Sequence, residues 1–361
     1  MKKITLEDVS IPKSSNIAQK DLENNNGIYP IYGASGLIKK VDFYKFDTDY
    51  IAIVKDGAGV GRVMKLPAKS SIIGTMQGII PNERIDINYL YYFLISKKLE
   101  RYHTGATIPH IYYKNYKNEK IELIEIEEQK YRANKLNYVQ NIIKLKENQL
   151  KELERLLKSQ FVEMFENEKR YVNLEDVCIF INGDRGKNYP SADKISKNSN
   201  GVPFINAGLL TNNTVDWESM NYISEETYNK LGAGKIQKDD ILYCLRGSLG
   251  KHAIIDFDNK GAIASSLVIL RANQNKIQPN FLLIQLGMDE IIRQQNQANN
   301  GSSQPNLSAS SVKKYKIKLP DIEMQNKFVN IVKQIDKQKF EGQKTIDVYN
   351  NMLETLISIY S

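Results

Sequence analysis

Apolar residues recur at alternating steps of three and four along two long segments of the chain. The first series is Leu136, Val139, Ile143, Lys146, Leu150, Leu153, Leu157, Gln160 and Met164; the second is Phe328, Val332, Ile335, Lys339, Gly342, Ile346, Tyr349, Leu353, Leu356 and Tyr360. This heptad spacing predicts two helices, each about 60 Å long, that pack lengthwise on a partner. Gly342 indicates a weak point or a bend. Since each stripe needs burial, we expect the helices to pair with each other, the alternative being two separate linkers.

Shorter apolar runs predict strands before and between these helices. The clearest are Tyr50–Val54, residues 241–245 and residues 262–271, with glycine-rich turns between them. Each half of the chain therefore combines a mixed helix-and-strand part with one long helix.

The chain repeats itself. Residues 4–9 recur as 172–177, residues 87–90 loosely as 278–282, residues 104–111 as 300–307, and residues 120–129 as 316–325. The order is kept while the offset grows from 168 to 196, which indicates two copies of one unit with insertions.

These patterns predict an α+β fold built twice. We expect a first mixed domain at residues 1–125, a central spacer helix at 126–168, a second mixed domain at 169–321 and a C-terminal spacer helix at 322–361. The two helices would run antiparallel as a coiled coil, and the whole would have pseudo-twofold symmetry. Such helices would hold two binding surfaces at a fixed distance.

Charge adds a candidate partner. The 361 residues carry a net charge of +8, and residues 1–125 and 169–321 each contribute +4 while the helical segments are neutral. Two basic blocks suit a polyanion, although an ordinary basic protein is the simpler alternative. The only cysteines are Cys178 and Cys244, without metal-ligand spacing, and the chain has neither an apolar leader nor an 18-residue apolar stretch. We expect a reduced, cytoplasmic protein.

At this point the motifs resemble those of a known family. The Leu-Glu-Asp-Val openings, the Gly…Pro…Leu loop, and Leu-Pro-Asp-Ile-Glu-Met-Gln at residues 319–325 before a heptad helix resemble the specificity subunit of type I restriction–modification enzymes. The resemblance covers essentially the whole chain. The first copy of the last motif, residues 123–129, departs by having Ile124 and Glu125 where the second copy has Pro-Asp.

The resemblance implies a non-catalytic DNA reader. Residues 1–125 and 169–321 would be target-recognition domains, each binding one half of a bipartite site in double-stranded DNA. The helices would set the spacing and dock two modification (methyltransferase) subunits, with the outer faces of residues 130–165 and 327–357 as the docking surface. Motor–nuclease restriction subunits would complete the enzyme. S-adenosylmethionine, ATP and Mg are then expected in those partners, with no cofactor or metal in this chain.

Glycine-rich segments are the first candidate for DNA contact. Residues 57–62 read Gly-Ala-Gly-Val-Gly-Arg, which lacks the last glycine of a dinucleotide-binding fingerprint, and residues 62–66 favour a strand rather than a helix. We therefore interpret this segment, and its counterpart at 246–251, as a strand turn. Lys55, Arg62, Arg246 and Lys251 would reach phosphates there.

Two polar loops are the second candidate. In residues 301–306, Gln304 and Asn306 have amides that suit an adenine edge, while Ser302 and Ser303 would donate to phosphates. The first copy offers His103, Thr104, Thr107 and His110. An ordinary turn before a strand is the alternative. Arg185 and Lys187 lie in a segment with no counterpart in the first domain, where the two domains would differ in preference, and a solvated loop is the alternative there.

Missing motifs count against catalysis in this chain. It contains no Asn-Pro-Pro-Tyr/Phe adenine-methyltransferase motif and no Walker A motif, and three scattered histidines do not suit a metal site. Two rival functions stay open: a coiled-coil scaffold that binds protein, and a self-contained DNA-modifying enzyme with a divergent site.

Overall fold

The computed structural model describes residues 2–105, 108–258, 260–299 and 306–360. The chain divides into two compact units: unit 1 is Met1–Leu150 with Glu341–Ser361, and unit 2 is Lys151–Phe340. Each unit therefore includes one mixed domain and a part of both long helices. Within the described ranges, no helix has the length and apolar character needed to cross a lipid bilayer.

Most of the strands of unit 1 precede its first α-helix. Its strands are β1 (Lys2–Thr5), β2 (Ser10–Ser14), β3 (Tyr29–Gly33), β4 (Gly36–Val41), β5 (Tyr50–Val54), β6 (Val63–Leu66), β7 (Ser71–Ile72), β8 (Met76–Pro81) and β9 (Lys120–Leu123). Its helices are α1 (Ile87–Ser96), α2 (Tyr113–Tyr116), the first part of α3 (Ile126–Phe165) and, from residue 341 onward, the last part of the C-terminal helix.

Unit 2 has the same elements and several additions. Its strands are β10 (Tyr171–Asn173), β11 (Cys178–Asn182), β12 (Val202–Ile205), β13 (Leu210–Thr211), β14 (Thr214–Val215), β15 (Tyr222–Ile223), β16 (Ile241–Cys244), β17 (His252–Ile254), β18 (Ala262–Ile263), β19 (Leu267–Ala272) and β20 (Lys316–Lys318). Its helices are the last part of α3, α4 (Glu225–Lys230), α5 (Pro279–Leu286), α6 (Asp289–Ala298), α7 (Ala309–Lys313) and the first part of α8 (Ile322–Tyr360).

Sheet topology confirms the internal repeat. Unit 1 has a four-stranded sheet in the order β2-β8-β5-β6, and unit 2 has β11-β19-β16-β17. The three-stranded sheets correspond as well, β4-β3-β7 and β15-β12-β18, each with one antiparallel and one parallel pair. In both units a two-stranded ladder, β1 with β9 or β10 with β20, brings the domain's first strand beside its last.

One of the two central strands of each four-stranded sheet, β5 or β16, is buried on both faces, which explains its continuous apolar sequence. In β5, Ile51 and Ile53 pack against α1, while Ala52 and Val54 face the three-stranded sheet. The prediction of a strand at Tyr50–Val54 is confirmed, and strand β16 has the same two-sided burial.

The prediction of a single strand over residues 262–271 is wrong. The segment forms two strands in different sheets: β18 pairs in parallel with β12, and β19 pairs antiparallel with both β11 and β16. A turn separates them, in which the Leu267 nitrogen donates to the Ala264 carbonyl over 3.0 Å. The small residues Ala264 to Ser266 allow the chain to turn here. The pattern of apolar positions does not reveal this turn, because alanine and serine interrupt it only weakly.

In unit 1 the two long helices run antiparallel. Near the start of α3, the Arg132 guanidinium lies over the Tyr360 ring, 5.2 Å from its centroid, and the Tyr89 hydroxyl donates to the Tyr360 carbonyl over 3.2 Å. Farther along, Gly342 of α8 faces Leu150, and a Cβ at Gly342 would lie 2.8 Å from the Leu150 Cδ2 atom. Helix α8 continues through Gly342, so this glycine is a position of close helix packing.

In unit 2 the seam departs from the predicted positions. The deeply buried residues near the end of α3 are Phe161 and Phe165, 5% and 1% exposed, rather than Gln160 and Met164. Both phenylalanines pack with Phe281 of α5 and Phe328 of α8, with ring centroids 5.1–6.0 Å apart. The end of α3 and the start of α8 are thereby built into the core of the second domain.

Two equivalent buried glutamines fasten the long helices to their domains. Gln129 of α3 accepts from the Asp86 nitrogen over 2.8 Å and donates to the Arg84 and Ile124 carbonyls over 3.0 and 2.9 Å. Gln325 of α8 makes the same three bonds. This repeated arrangement explains why residues 120–129 and 316–325 match in sequence.

Candidate nucleic-acid interface

The glycine-rich segments are turns between antiparallel strands in both units. Strand β5 leads through residues 55–62 into β6, and β16 leads through residues 245–251 into β17. A strand rather than a helix follows each segment. The interpretation of these segments as strand turns is therefore confirmed.

The last glycine of each turn lies against a following helical segment. Gly61 has φ +86°, and a Cβ there would lie 2.8 Å from the Glu100 Cα atom and closer still to the Glu100 nitrogen. Gly250 has φ +72°, and a Cβ there would overlap the Gln295 side chain. Both positions require a left-handed backbone and close approach, which only glycine provides without strain.

In unit 1 the turn is joined to the polar loop that follows α1. Asp56 and His110 form a β-bridge, the Gly57 nitrogen donates to the Pro109 carbonyl over 2.9 Å, and Thr104 and His110 exchange two backbone bonds of 2.9 Å. These contacts bring five predicted residues to one end of the four-stranded sheet. We name them the unit 1 turn surface: Lys55, Arg62, His103, Thr104 and His110.

Unit 2 repeats this arrangement. Arg246 and Asn306 form the equivalent β-bridge, and the Leu307 nitrogen donates to the Leu245 carbonyl over 2.8 Å. Arg185 lies at the same sheet end, because its Nη2 atom is 3.4 Å from the Ser265 carbonyl in the turn before β19. We name the unit 2 turn surface by its four members: Arg185, Arg246, Lys251 and Asn306.

Of the other predicted residues, Lys187 is the one that the structure describes, and it lies apart from these surfaces. Lys187 lies beside α4, where it lines a separate cavity of about 270 Å³ together with Lys194 and Lys230. Four more of them lie outside the described residues: Thr107, Ser302, Ser303 and Gln304.

The cations of the turn surfaces are available to a ligand. Within the described ranges, Lys55, Arg246 and Lys251 have no ion-pair partner, and Arg246 and Lys251 are exposed. Arg62 is exposed and donates through Nη1 to the Ala34 carbonyl over 2.9 Å, which orients its guanidinium without neutralising it. Such side chains can bind phosphate groups, while His110, Thr104 and Asn306 offer hydrogen-bonding groups suited to base edges.

Further basic residues, which were not among the candidates from the sequence, lie beside the unit 1 turn surface. A cavity of about 550 Å³ is lined by Val60 of the turn together with Lys97, Lys98 and Arg101. Glu119 lies near Lys97 and Arg101, and burial lowers the pKa of Lys97 despite this carboxylate. Lys98 is exposed and has no ion pair in the described part of the chain. The run Lys97, Lys98, Arg101, His103 directly after an apolar helix was the available signal.

Neither cysteines nor metal-binding clusters define a further site. Burial raises the pKa of the Cys178 thiol to about 12 and also raises that of Cys244. Among the residues that the structure describes, no group of three or more histidines, cysteines and carboxylates is placed to hold a metal ion.

The sequence matches the family model of the type I restriction modification DNA specificity domain twice, over residues 1–155 and 166–348. The chain belongs to this family. It is a specificity subunit that recognises DNA targets, a non-catalytic component of a type I restriction–modification system.

Relatives and solved structures agree with this assignment. The chain is 23% identical to the type I restriction enzyme MjaIX specificity subunit of Methanocaldococcus jannaschii, covering 94% of this chain and 84% of that protein. A putative MjaX specificity subunit of the same organism is 26% identical over 165 residues, but that match spans 44% of this chain and only 38% of the relative. A type I S subunit from M. genitalium has the same fold, with a TM-score of 0.59 at 18% identity over 99% of this chain and 94% of that one.

Proposed function

We propose that this specificity subunit reads a bipartite target in double-stranded DNA, one half-site with each of two domains at residues 1–125 and 169–321. The observation that supports this most directly is the repeated turn surface. Each unit has a glycine-rich turn at the same sheet end, bridged to a polar loop, but the two surfaces carry different side chains. One architecture with two sets of side chains suits two half-sites of different sequence.

In this proposal the basic residues position the DNA and the neutral polar residues read it. Lys55, Arg62, Arg246 and Lys251 bind phosphates, which supplies affinity that falls with salt. Asn306 and the loop at residues 104–110 contact base edges in the grooves. Two moderate readers on one chain reinforce each other, because binding of the first half-site raises the effective concentration of the second.

The long helices, at residues 126–168 and 322–361, would set the distance between half-sites. Helices α3 and α8 are uninterrupted over 40 and 39 residues. Seven residues inserted into both would lengthen the pair by about 10 Å, or roughly three base pairs of DNA. We expect the insertion to change the unread spacer and leave both half-sites unchanged. An unchanged spacer would contradict the role of the helices.

The outer faces of the helices are the proposed docking surface for two modification (methyltransferase) subunits, and motor–nuclease subunits would complete the assembly. On α3, Tyr131, Tyr138 and Leu145 follow at intervals of seven residues and are 54%, 69% and 67% exposed. On α8, Val348 and Ile359 are 65% and 66% exposed. Exposed apolar side chains in a row are typical of a protein interface. S-adenosylmethionine, ATP and Mg would be bound by the partners.

Docking can be tested by co-purification with the methyltransferase subunit of the same system. Tyr138→Asp should abolish co-purification, because a carboxylate replaces an apolar contact. Lys144→Asp on the same helix, about 120° away around the axis, is the control and should retain the partner. Equal behaviour of the two variants would argue against this surface.

Genome-wide mapping of methylated adenine tests the whole proposal. The chain co-expressed with its methyltransferase should yield a single motif with two specified halves and an unread spacer, and deletion of the chain should remove it. If deletion of the chain leaves methylation unchanged and the chain copurifies with no methyltransferase, the results would favour the scaffold function. Methylation by the purified chain alone would favour the enzyme.

A further inference from the structure

The loop that joins the antiparallel pair of strands in the three-stranded sheet differs in length between the two units. In unit 1 only residues 34–35 join β3 to β4, whereas in unit 2 residues 206–221 join β12 to β15. The short connection lies beside the glycine-rich turn, since the Ala34 carbonyl accepts from Arg62. The long connection contains the added hairpin β13–β14, which has no counterpart in unit 1.

The tip of this hairpin is a tight two-residue turn. Leu210 pairs with Val215 and Thr211 with Thr214, leaving Asn212 and Asn213 as the loop. Their φ angles are +48° and +64°, as a type I′ turn requires at both central positions. Asparagine tolerates this left-handed backbone better than most residues. The Thr214 hydroxyl donates to the Thr211 carbonyl over 2.9 Å and further braces the tip.

Backbone contacts hold the tip against the edge strand β17, which follows the glycine-rich turn of unit 2. The Ile254 nitrogen donates to the Asn213 carbonyl over 3.1 Å, and Asn213 forms a parallel bridge with Ala253. Strand β17 starts at His252, directly after Lys251. The tip and Lys251 therefore line one cavity of about 420 Å³. Lys97, Lys98 and Arg101 are among the residues that line the corresponding cavity of unit 1.

The two asparagine amides have unused hydrogen-bonding capacity. Asn212 is exposed and Asn213 is half-buried, and neither side chain makes a hydrogen bond within the described part of the structure. A side-chain amide has an acceptor and two donors, the pattern that pairs with the major-groove edge of adenine. Because the backbone that carries them is already fixed, little conformational entropy is lost when they bind.

We infer that the Asn212–Asn213 tip reads base edges in the half-site bound by unit 2. This inference rests on the proposed function, in which each unit binds one half-site. It assigns to the second domain a specificity element that the first domain lacks, beside cations that position the same stretch of DNA.

The double variant Asn212→Gly/Asn213→Gly tests the inference. Glycine adopts positive φ freely, so the hairpin keeps its shape while both amides are lost. Asn200→Gly is the matched control. Asn200 is exposed and lies before the start of β12, whereas the hairpin follows the end of that strand. Each variant is co-expressed with the methyltransferase of its system and its methylated adenines are mapped. We expect the double variant to lose discrimination at a base pair of one half-site, by about 5- to 150-fold, and the control to keep the wild-type motif.

Several results would overturn the inference. An unchanged motif in the double variant would show that the amides do not read bases. Weaker methylation of all sites with unchanged sequence preference would assign the tip to the DNA backbone. Altered preference in both half-sites would contradict its assignment to unit 2. A wild-type chain that produces no bipartite motif would instead refute the proposed function, so the two failures are distinguishable.

Discussion

Replacing Gln325 by alanine should detach the start of helix α8 from the second domain. The Gln325 side chain is fully buried, accepts from the Gln278 nitrogen over 2.8 Å, and donates to the Lys276 and Pro320 carbonyls over 3.1 and 2.8 Å. Alanine removes all three bonds and leaves three backbone groups without their partner.

The expected loss of stability follows from these contacts. A buried backbone group left unpaired costs about 1 kcal/mol or more. Loss of the buried Cγ methylene group adds about 1 kcal/mol, so unit 2 should lose about 4 kcal/mol of its free energy of unfolding. With a urea dependence of about 2 kcal/mol per molar, the unfolding midpoint should fall by about 2 M.

The single tryptophan of the chain makes this measurement specific to unit 2. Trp217 packs at the edge of the unit 2 core, 4.3 Å from Phe257 between ring centroids, so its fluorescence reports unfolding of that unit. Gln129→Ala, the equivalent change in unit 1, should cost a similar free energy, followed by circular dichroism. Gln334→Ala, at an exposed position of α8, is the control and should stay within about 0.5 kcal/mol of the wild type.

The expected loss of stability is refuted if Gln325→Ala shifts the fluorescence midpoint no more than Gln334→Ala does. That result would mean that the three hydrogen bonds contribute nothing net, and that the apolar contacts of α8 alone hold it to the domain.

Three further predictions concern the turns and the half-buried His252. Gly61→Ala should destabilise unit 1 by about 3 kcal/mol, measured by thermal unfolding, because its Cβ meets the backbone of Glu100 at a positive φ; an unchanged melting temperature would contradict the required close approach. Lys251→Gln should weaken binding to all DNA sequences and reduce the slope of log affinity against log salt by about one, whereas a change of sequence preference would mean that Lys251 contacts bases. Burial holds the pKa of His252 below its usual 6.5, so the unfolded chain binds the proton more readily and stability should fall as the pH drops below about 6.5; His252→Asn should flatten that dependence in urea titrations, and an unchanged slope would assign it to other groups.

The heptad pattern predicts the long helices well because one face of each must be buried along its length. All ten seam positions of α8 are buried or half-buried. The pattern is less accurate at the end of α3, where the helix leaves its helical partner and packs into a domain core. There the most buried residues, Phe161 and Phe165, follow Leu157 at steps of four, whereas a fixed alternation of three and four selects the half-buried Gln160 and Met164.

The turn surfaces needed three-dimensional information. Lys55 and Arg62 were recognised as candidates from their glycine-rich turn, and His110 separately from its loop. Nothing in the local sequence shows that Asp56 bridges to His110, since that pairing depends on the path of about 50 intervening residues. The Asn212–Asn213 turn, in contrast, had a local signal, because two asparagines between threonines are typical of a hairpin. This turn was nevertheless not among the candidates from the sequence.

The division of the chain between the units has a consequence for synthesis on the ribosome. Unit 2 is one continuous stretch, Lys151–Phe340, and all of its packing partners exist once that stretch has emerged. Unit 1 needs Glu341–Ser361 as well, so its nascent α3 segment exposes Val139 and Ile143 until Ile346 has been made. The domain that is translated first is thus completed last. The apolar face of its α3 segment remains exposed to solvent while nearly two hundred further residues are added.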